Sequence, residues 1–265
     1  MGSTFEAYSV VAYNTAHASE NKIHDDAVAQ RFGFAGGLVP GVDVYAYMAH
    51  LPVARWGREF LAHGSLDARF LKPVYDGESA TVTATEADGG LAIEVKSRGE
   101  LCATGHAAMP HTPAPALDAF EEVAAVAERV PADEVSLSIG RRLGIKPLAI
   151  TAEWAARYIE DVRERDPLYL REGLSHAGQL PRLLNWALTH NVVLGPWIHV
   201  ASKTDHFAAA RIGDELTVRA KVTANYEKKG HRFVELDGLV IANGGAPLAH
   251  IAHTAIYRPR GAAKG

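Results

Sequence analysis

The sequence predicts an α+β fold made of two tandem repeats. In each half, one long apolar segment is followed by several β-rich segments. These β-rich segments succeed one another through tight turns such as Asp88-Gly89-Gly90, which is typical of an antiparallel meander. A single apolar helix that accompanies an antiparallel sheet buries its surface against one face of that sheet. We therefore expect each sheet to curve around its own central helix.

Internal repetition supports the division into two halves. Gly213 lies 136 positions after Gly77, and both glycines stand in a strand-turn-strand pattern. Tyr158 lies 145 positions after Tyr13. A shorter loop before the second helix accounts for the difference between the two offsets. These matches predict an ancient tandem duplication.

The predicted elements follow the same order in both halves. Central helices are expected at residues 42–51 and 179–188, and a short helix at 27–32 has Asp25 and Asp26 before it as capping residues. The strands are expected at residues 65–72, 78–86, 91–98 and 101–108, and then at 197–210, 215–227, 232–241 and 246–257.

A proline-containing linker separates the two halves. Prolines at 110, 113 and 115 break regular structure, and the apolar spacing that follows predicts a crossing helix at 117–129. The predicted domains are therefore a first repeat over residues 1–110, a linker with a helix over 111–148, and a second repeat over 149–260.

Composition excludes several classes of function. The formal net charge is -4 and no cluster of Lys and Arg stands out, which argues against nucleic acid and against an anionic membrane surface as partners. No apolar stretch reaches the roughly 18 residues of a membrane span. Cys102 is the only cysteine, so no intrachain disulfide can form, which is typical of a cytoplasmic protein.

The most informative motif lies near the start of the chain. Asn21-Lys22-Ile23-His24 is followed by a Gly-rich loop and then by Leu38-Val39-Pro40-Gly41-Val42 at the start of the first central helix. An imidazole near a helix N-terminus combines a proton-transfer group with free N–H donors, and this suits chemistry on a carbonyl. We expect His24 to act as the base and the Gly41 N–H as the oxyanion donor. The Asn21 amide would orient a water molecule or brace the loop, and the sequence leaves both roles open.

These residues resemble the signature of the MaoC-like, (R)-specific enoyl-CoA hydratase family. That signature runs Asp-x-Asn-Pro-Ile/Leu-His, then a Gly-containing loop, then His-Gly at the start of the central helix. Asn21, Ile23, His24 and Gly41 match it, and residues 69–77 are similar to the first long strand and turn of the family. The resemblance implies a double hotdog fold over nearly the whole chain.

The resemblance also implies an activity and a substrate. The expected reaction is reversible addition of water to a 2-enoyl thioester, which gives a 3-hydroxyacyl thioester. The partner would be this small-molecule acyl thioester, with coenzyme A as part of the substrate and with no prosthetic group. Val39, Pro40 and Tyr45 are predicted to bind substrate, although Tyr45 is better explained as a core aromatic. Exposed sheet edges predict a homodimer.

The chain departs from the family pattern at several positions. Ser19 stands where the family has its catalytic Asp, and the adjacent Glu20 is the carboxylate predicted to replace it. Lys22 replaces the usual proline, and Pro40 replaces the His of the His-Gly pair. These departures keep two alternatives open: a non-catalytic acyl-thioester-binding hotdog protein and a hotdog thioesterase.

The second half departs further. At the offset of 145, Tyr169 falls on the His position and Asp166 on the Asn position, so one working site is predicted, in the N-terminal half.

The sequence does not support a metal site or a serine hydrolase. His250 and His253 point to opposite faces of a predicted strand, which is unsuited to a shared metal, and residues 173–177 lack the final Gly of a nucleophile elbow.

Overall fold

The computed structural model describes residues 5–261, which form six α-helices and thirteen strands. The helices are α1 (Asp26–Arg31), α2 (Gly41–Trp56), α3 (Arg58–His63), α4 (Ala152–Asp161), α5 (Leu168–Glu172) and α6 (Gln179–Thr189). The strands are β1 (Tyr8–Val11), β2 (Ser65–Phe70), β3 (Ser79–Ala87), β4 (Gly90–Ser97), β5 (Glu100–Ala108), β6 (Val130–Pro131), β7 (Arg142–Leu143), β8 (Leu148–Ala149), β9 (Val192–Val193), β10 (Ile198–His206), β11 (Glu215–Lys228), β12 (His231–Ala242) and β13 (Ala246–Arg258).

The two repeats are joined edge to edge in one antiparallel sheet. Its strand order is β1-β3-β4-β5-β2-β10-β13-β12-β11-β7, with β8 paired to β11. Strand β2 of the first repeat pairs with β10 of the second, from Ser65 opposite Asp205 to Arg69 opposite Ala201. The predicted α+β fold with two antiparallel meanders is confirmed, and this shared edge brings the two central helices together.

Backbone contacts repeat at the offset that the sequence indicates. An isolated bridge joins Leu38 to Tyr75 in the first repeat, and its counterpart 136 residues later joins Leu174 to Arg211. The hydrogen bond from the Val39 N–H to the Val74 carbonyl likewise recurs 136 residues later, from Ser175 to Ala210. The segment before each central helix therefore docks on its sheet in the same way.

The two central helices are buried to different degrees. Helix α2 is buried around its whole circumference from Val42 to Ala49, as expected for a helix enclosed by its own sheet and by the other repeat. Helix α6 buries one face on its sheet through Leu183, Leu184, Ala187 and Leu188. Its opposite face is partly exposed, and that face becomes a wall of the cavity described below.

The predicted helix at 117–129 is wrong. Only a single 3-10 turn forms there, Leu117–Ala119, and the chain then runs irregularly to β6. The Arg219 guanidinium of β11 donates to the carbonyls of Leu117 and Phe120, both at 3.1 Å, and pairs with Glu122 at 2.6 Å. These tertiary bonds take carbonyls that a helix would use, so the segment lies as a strap across the second sheet.

The remaining elements lie close to the predicted ranges. Helix α2 begins at Gly41 and extends to Trp56, past Pro52. Asp25 caps α1 as expected, because its carboxylate accepts the Val28 N–H at 3.1 Å. The largest strand difference is at β10, which ends at His206 rather than at residue 210.

Among the described residues, no helix has the length and apolarity needed to cross a bilayer. The domain boundaries at 110 and 148 and the homodimer stay predictions.

Candidate active site

A cavity of about 550 Å³ lies where the two repeats meet. The first repeat contributes the loop around the predicted motif, the N-terminus of α2 and the chain after β2. The second repeat contributes the outer face of α6 and the start of β10. Six of the seven predicted site residues line the cavity: Glu20, Asn21, His24, Val39, Pro40 and Gly41. The structure therefore brings together most of what the motif indicates.

His24 presents an unprotonated nitrogen in this site. Its Nδ1 lies 2.6 Å from the Leu38 carbonyl oxygen, and since a carbonyl only accepts, Nδ1 carries the proton. Its Nε2 is then an acceptor and lies 3.2 Å from the Asn21 amide nitrogen. Burial lowers the pKa of His24, and the Leu38 carbonyl and Asp43 oppose this only in part. At neutral pH the ring is therefore neutral, as a general base requires.

The Asn21 side chain links His24 to the backbone of the second repeat. Its amide oxygen accepts the Trp197 N–H at 3.1 Å, and its amide nitrogen donates to the Trp197 carbonyl at 2.9 Å as well as to His24. Both ends of the buried amide are thus engaged with protein. This geometry favours the bracing role over the water-orienting role that the sequence also allowed.

Gly41 occupies the first position of α2, where no side chain caps the helix. Its N–H makes no hydrogen bond to any of residues 5–261, so it remains available as a donor. A Cβ at this position would lie 2.9 Å from His199 Nδ1 and 3.2 Å from the His199 carbonyl oxygen. Glycine is therefore required here because β10 approaches the helix closely.

His199 is a cavity residue that the sequence argument missed. Its Nε2 lies 2.8 Å from the Ser202 hydroxyl, which in turn lies 2.9 Å from His253 Nδ1. The two imidazoles stack with centroids 4.2 Å apart. Burial lowers the pKa of His199 to about 3, so this ring is neutral. It packs against Gly41 without bringing a charge to the helix N-terminus. The one signal for it in the sequence is that it lies 136 positions after His63, the same offset that separates Gly77 from Gly213.

A buried ion pair joins the repeats beside His24, and the sequence argument missed it as well. Asp43, fully buried in the first turn of α2, pairs with Arg182 of α6. The Thr15 hydroxyl donates to Asp43 at 2.6 Å, and the Arg182 guanidinium lies 4.9 Å from the centre of the Tyr158 ring. The available signal was that each of the predicted helical ranges 42–51 and 179–188 contains a single residue of the Asp, Glu, Lys and Arg types, Asp43 and Arg182.

Two predicted residues lie elsewhere than expected. The Glu20 side chain is 74% exposed and forms a two-pronged ion pair with Arg129 at 2.8 and 3.2 Å, so it does not replace the missing Asp beside His24. Tyr45 is completely buried in the core and does not line the cavity, so its predicted contact with substrate is wrong. Within residues 5–261, no carboxylate hydrogen-bonds to His24.

In the second repeat, the structural match to the Asn21–His24 motif is shifted by one residue from the match that the sequence predicted. The Leu38 N–H donates to the Ile23 carbonyl at 3.4 Å, and the equivalent Leu174 N–H donates to the Tyr169 carbonyl at 2.8 Å. Tyr169 therefore corresponds to buried Ile23 rather than to His24. The residue that follows it, Leu170, takes the place of that histidine and is 61% exposed.

The helix N-terminus of the second repeat is closed. The Gly178 N–H, one residue before α6, donates to His176 Nδ1 at 3.0 Å. A Cβ on Gly178 would lie 2.6 Å from the Tyr158 hydroxyl and 2.7 Å from Ala46. His176 Nε2 then donates to buried Glu164 at 3.1 Å. At this place in the second repeat, the Gly178 N–H and the His176 ring are therefore both engaged in hydrogen bonds.

The fold is a double hotdog. No family model and no curated protein matches the chain. A putative MaoC domain protein dehydratase from Chloroflexus aurantiacus superposes with a TM-score of 0.64 at 13% identity, over 98% of this chain and 96% of that one. A conserved hypothetical protein from Mycobacterium tuberculosis, described as having a double hotdog fold, gives 0.58 at 16% identity over 96% of both chains. A MaoC-like dehydratase gives 0.58 at 12% identity, over 95% of this chain and 97% of that one.

The chain therefore has the architecture of solved MaoC-like dehydratases along nearly its whole length, and the expected double hotdog fold is confirmed.

Proposed function

We propose that this protein is an acyl-thioester hydratase/dehydratase with its one active site at the N-terminus of α2. The substrate would be a 2-enoyl thioester, with coenzyme A as the carrier, and the product a 3-hydroxyacyl thioester. One observation carries the proposal: a neutral imidazole and an uncapped helix N-terminus, His24 and Gly41, line the same cavity between the repeats. The dehydratase names of structures with the same fold agree with it.

The residues suggest how water is added. His24 Nε2 takes a proton from water as the water oxygen bonds to C3 of the enoyl group. The electron pair of the C2–C3 double bond then moves onto the thioester, and the Gly41 N–H stabilises the resulting enolate oxygen. The proton held on Nε2 is returned to C2, so atoms and charge balance with one acid–base residue. For this, Nε2 exchanges its contact with the Asn21 amide for a water molecule.

One observation favours a second function, a non-catalytic module that binds acyl thioesters. Ser19, at the place of the family Asp, accepts the Asn21 N–H at 3.0 Å and so serves the turn. His24 therefore has a carbonyl and an amide as its partners, and the carbonyl raises the basicity of Nε2 less than a carboxylate would.

A spectroscopic assay separates these functions. Purified protein is added to crotonyl-CoA and to a longer or branched analogue, and the enoyl-thioester absorbance is followed together with free thiol. Loss of absorbance without thiol release, abolished in His24→Ala, is the result expected for a hydratase. Release of thiol would identify a thioesterase instead.

Unchanged absorbance, together with a higher melting temperature in the presence of the thioester, would overturn hydration in favour of the binding module. His24→Gln is the matched variant for folding, because its amide can still donate to the Leu38 carbonyl while lacking a base.

A further inference from the structure

The buried ion pair beside His24 is not required to pack one central helix on the other. It joins Asp43 of α2, which is completely buried, to Arg182 of α6. The residue 136 positions after Asp43 is Gln179, and the residue 136 positions before Arg182 is Ala46, so the duplicated positions carry no charge. Burying two charges costs free energy that an apolar pair avoids. The pair therefore needs an explanation other than packing.

The Asp43 carboxylate does not cap the helix whose first turn it occupies. One of its oxygens accepts the Thr15 hydroxyl at 2.6 Å, and the other accepts from the Arg182 guanidinium. Arg182 also donates to the Thr15 oxygen at 3.0 Å. Among residues 5–261, no backbone N–H donates to this carboxylate, so the N-terminus of α2 keeps its donors while a negative charge lies in its first turn.

Two consecutive residues link the ion pair to the base. The Asn14 amide nitrogen donates to the His24 carbonyl at 2.9 Å, and the next residue, Thr15, bonds to both members of the pair. His24, Thr15 and Arg182 all line the cavity between the repeats. Because Asp43 is buried next to this group, water screens its charge from His24 only weakly.

The other charged groups around His24 are more strongly screened because they are exposed. A second cleft, on the other side of His24, carries six exposed ionisable side chains: His17, Asp25, Asp26, Asp76, Glu78 and Arg98. The cavity wall adds exposed Lys72, the Glu20–Arg129 ion pair, and three histidines, at 190, 199 and 231, whose pKa burial lowers. Burial also lowers the pKa of His24, whereas the Asp43 charge raises it and Arg182 opposes Asp43.

We infer that Asp43 and Arg182 are positioning residues that set the basicity of His24. The Asp43 carboxylate supplies the negative charge that the family places where Ser19 stands, and it stabilises the imidazolium that forms when His24 takes a proton from water. Arg182 holds the carboxylate in place and offsets part of its charge, so the second repeat adjusts the base of the first. This inference rests on the proposed function for the use of the proton, but the basicity itself is measured without substrate.

Titration of the His24 ring by NMR, in protein with labelled histidines, tests the inference. The His24 signal is identified among the 13 histidines by its absence in His24→Gln. Asp43→Asn should lower the pKa of His24 by about one pH unit, because a nearby negative charge is lost and the Arg182 charge is left unopposed. The double variant Asp43→Asn/Arg182→Gln should return the pKa most of the way to the wild-type value, because both charges are then gone.

Hydration of crotonyl-CoA gives a second measurement. A weaker base should lower kcat about threefold to tenfold in Asp43→Asn while KM stays within about twofold, and the acidic limb of kcat/KM should move to lower pH. The double variant should recover both quantities.

The controls separate charge from structure. The double variant lacks the ion pair, so a role limited to clamping the helices predicts no recovery in it. Glu164→Gln removes another buried carboxylate, beside His176, and should leave the pKa of His24 unchanged. If Asp43→Asn does not fold, Arg182→Gln is compared with the double variant, from which it differs only in the charge at Asp43. The pKa of His24 should then be about one pH unit higher in Arg182→Gln.

Three results would overturn the inference. These are an unchanged pKa of His24 in Asp43→Asn, an equal decrease in Asp43→Asn and in the double variant, and equal values in Arg182→Gln and the double variant. The expected shifts in pKa, found in a protein that does not hydrate crotonyl-CoA, would overturn the proposed function alone.

Discussion

The N-termini of the two central helices occupy equivalent places in the two repeats but differ in what surrounds them. The Gly41 N–H at the start of α2 has no hydrogen-bond partner among residues 5–261, and Gly41 faces a cavity with His24 in its wall. Gly178 before α6 donates to His176 and is closely packed by Tyr158 and Ala46. The same helix terminus thus presents a donor to the cavity in one repeat, whereas in the other it is hydrogen-bonded and closely packed; we call the latter the closed joint.

This difference shows how a duplicated fold divides its tasks. The closed joint in the second repeat is centred on a buried carboxylate: Glu164 accepts from His50 at 2.7 Å, from His176 at 3.1 Å and from two backbone N–H groups at 2.7 Å each. It joins α2 to the segment before α6 and so fixes how the helices meet. The position of the α2 N-terminus at the cavity therefore depends on the contacts around Glu164.

The largest contrast is expected between two histidines, one at each terminus. Replacing His24 by Ala should lower kcat for crotonyl-CoA hydration by roughly 10²–10⁴, since a general base is lost. Replacing His176 by Ala should leave kcat of the folded enzyme within about twofold while lowering the melting temperature. Steady-state kinetics and thermal melts measure both effects. Equal losses of kcat in the two variants would contradict the asymmetry.

The two glycines offer a second contrast. Gly41→Ala drives a Cβ to within 2.9 Å of His199, so the helix end must shift, and a displacement of about 1 Å can lower the rate roughly 10²-fold. Gly178→Ala meets Tyr158 and Ala46 instead and should destabilise the fold by about 1–3 kcal/mol through overpacking. Urea unfolding together with kcat/KM resolves the pair. An unchanged rate in Gly41→Ala would argue against the oxyanion role.

Replacing Glu164 tests the closed joint by itself. The side chain is buried, which by itself would raise its pKa, but hydrogen bonds from His176 and His50 hold the pKa well below the usual 4.5. Glu164→Gln should therefore lower the free energy of unfolding by about 2–4 kcal/mol at pH 7. Wild-type stability from this group is complete above pH 4.5 and is lost on further acidification. Urea unfolding at pH 7 and pH 4 measures this, and the variant should lack that loss.

The smallest effect concerns the pH dependence of the open site. Because burial lowers the pKa of His24 below 6.5, the neutral base predominates at pH 7. We expect kcat/KM to be flat above pH 7 and to fall only below 6.5, as the ring becomes protonated in the free enzyme. A pH profile with crotonyl-CoA measures this. An acidic limb centred above pH 7 would assign the titration to another group.

The structure confirms the local patterns in the sequence and corrects the parts that depend on distant contacts. The apolar segments and Gly-containing turns predicted α2, α6 and the meanders within a few residues, because burial and turn conformation act locally. The helix expected at 117–129 failed because Arg219, about 100 residues away, takes its carbonyls. Tyr45 was misplaced because position on a helix does not tell which face meets a cavity, and Glu20 because Arg129, more than a hundred positions away, binds its carboxylate.

The sequence by itself determined the two repeats, their α+β class and the presence of an Asn-Ile-His-Gly motif in one of them, since periodicity and residue type are properties of the chain. Only the tertiary structure decided that the Asn21 amide bonds to the backbone of Trp197 and that Arg182 and Asn185 of the second repeat face the cavity. It also decided that Gly178 is closely packed by Tyr158 and Ala46. The physical reason is that these roles arise where β2 pairs with β10. Contacts across that edge join residues more than a hundred positions apart, and no local pattern encodes them.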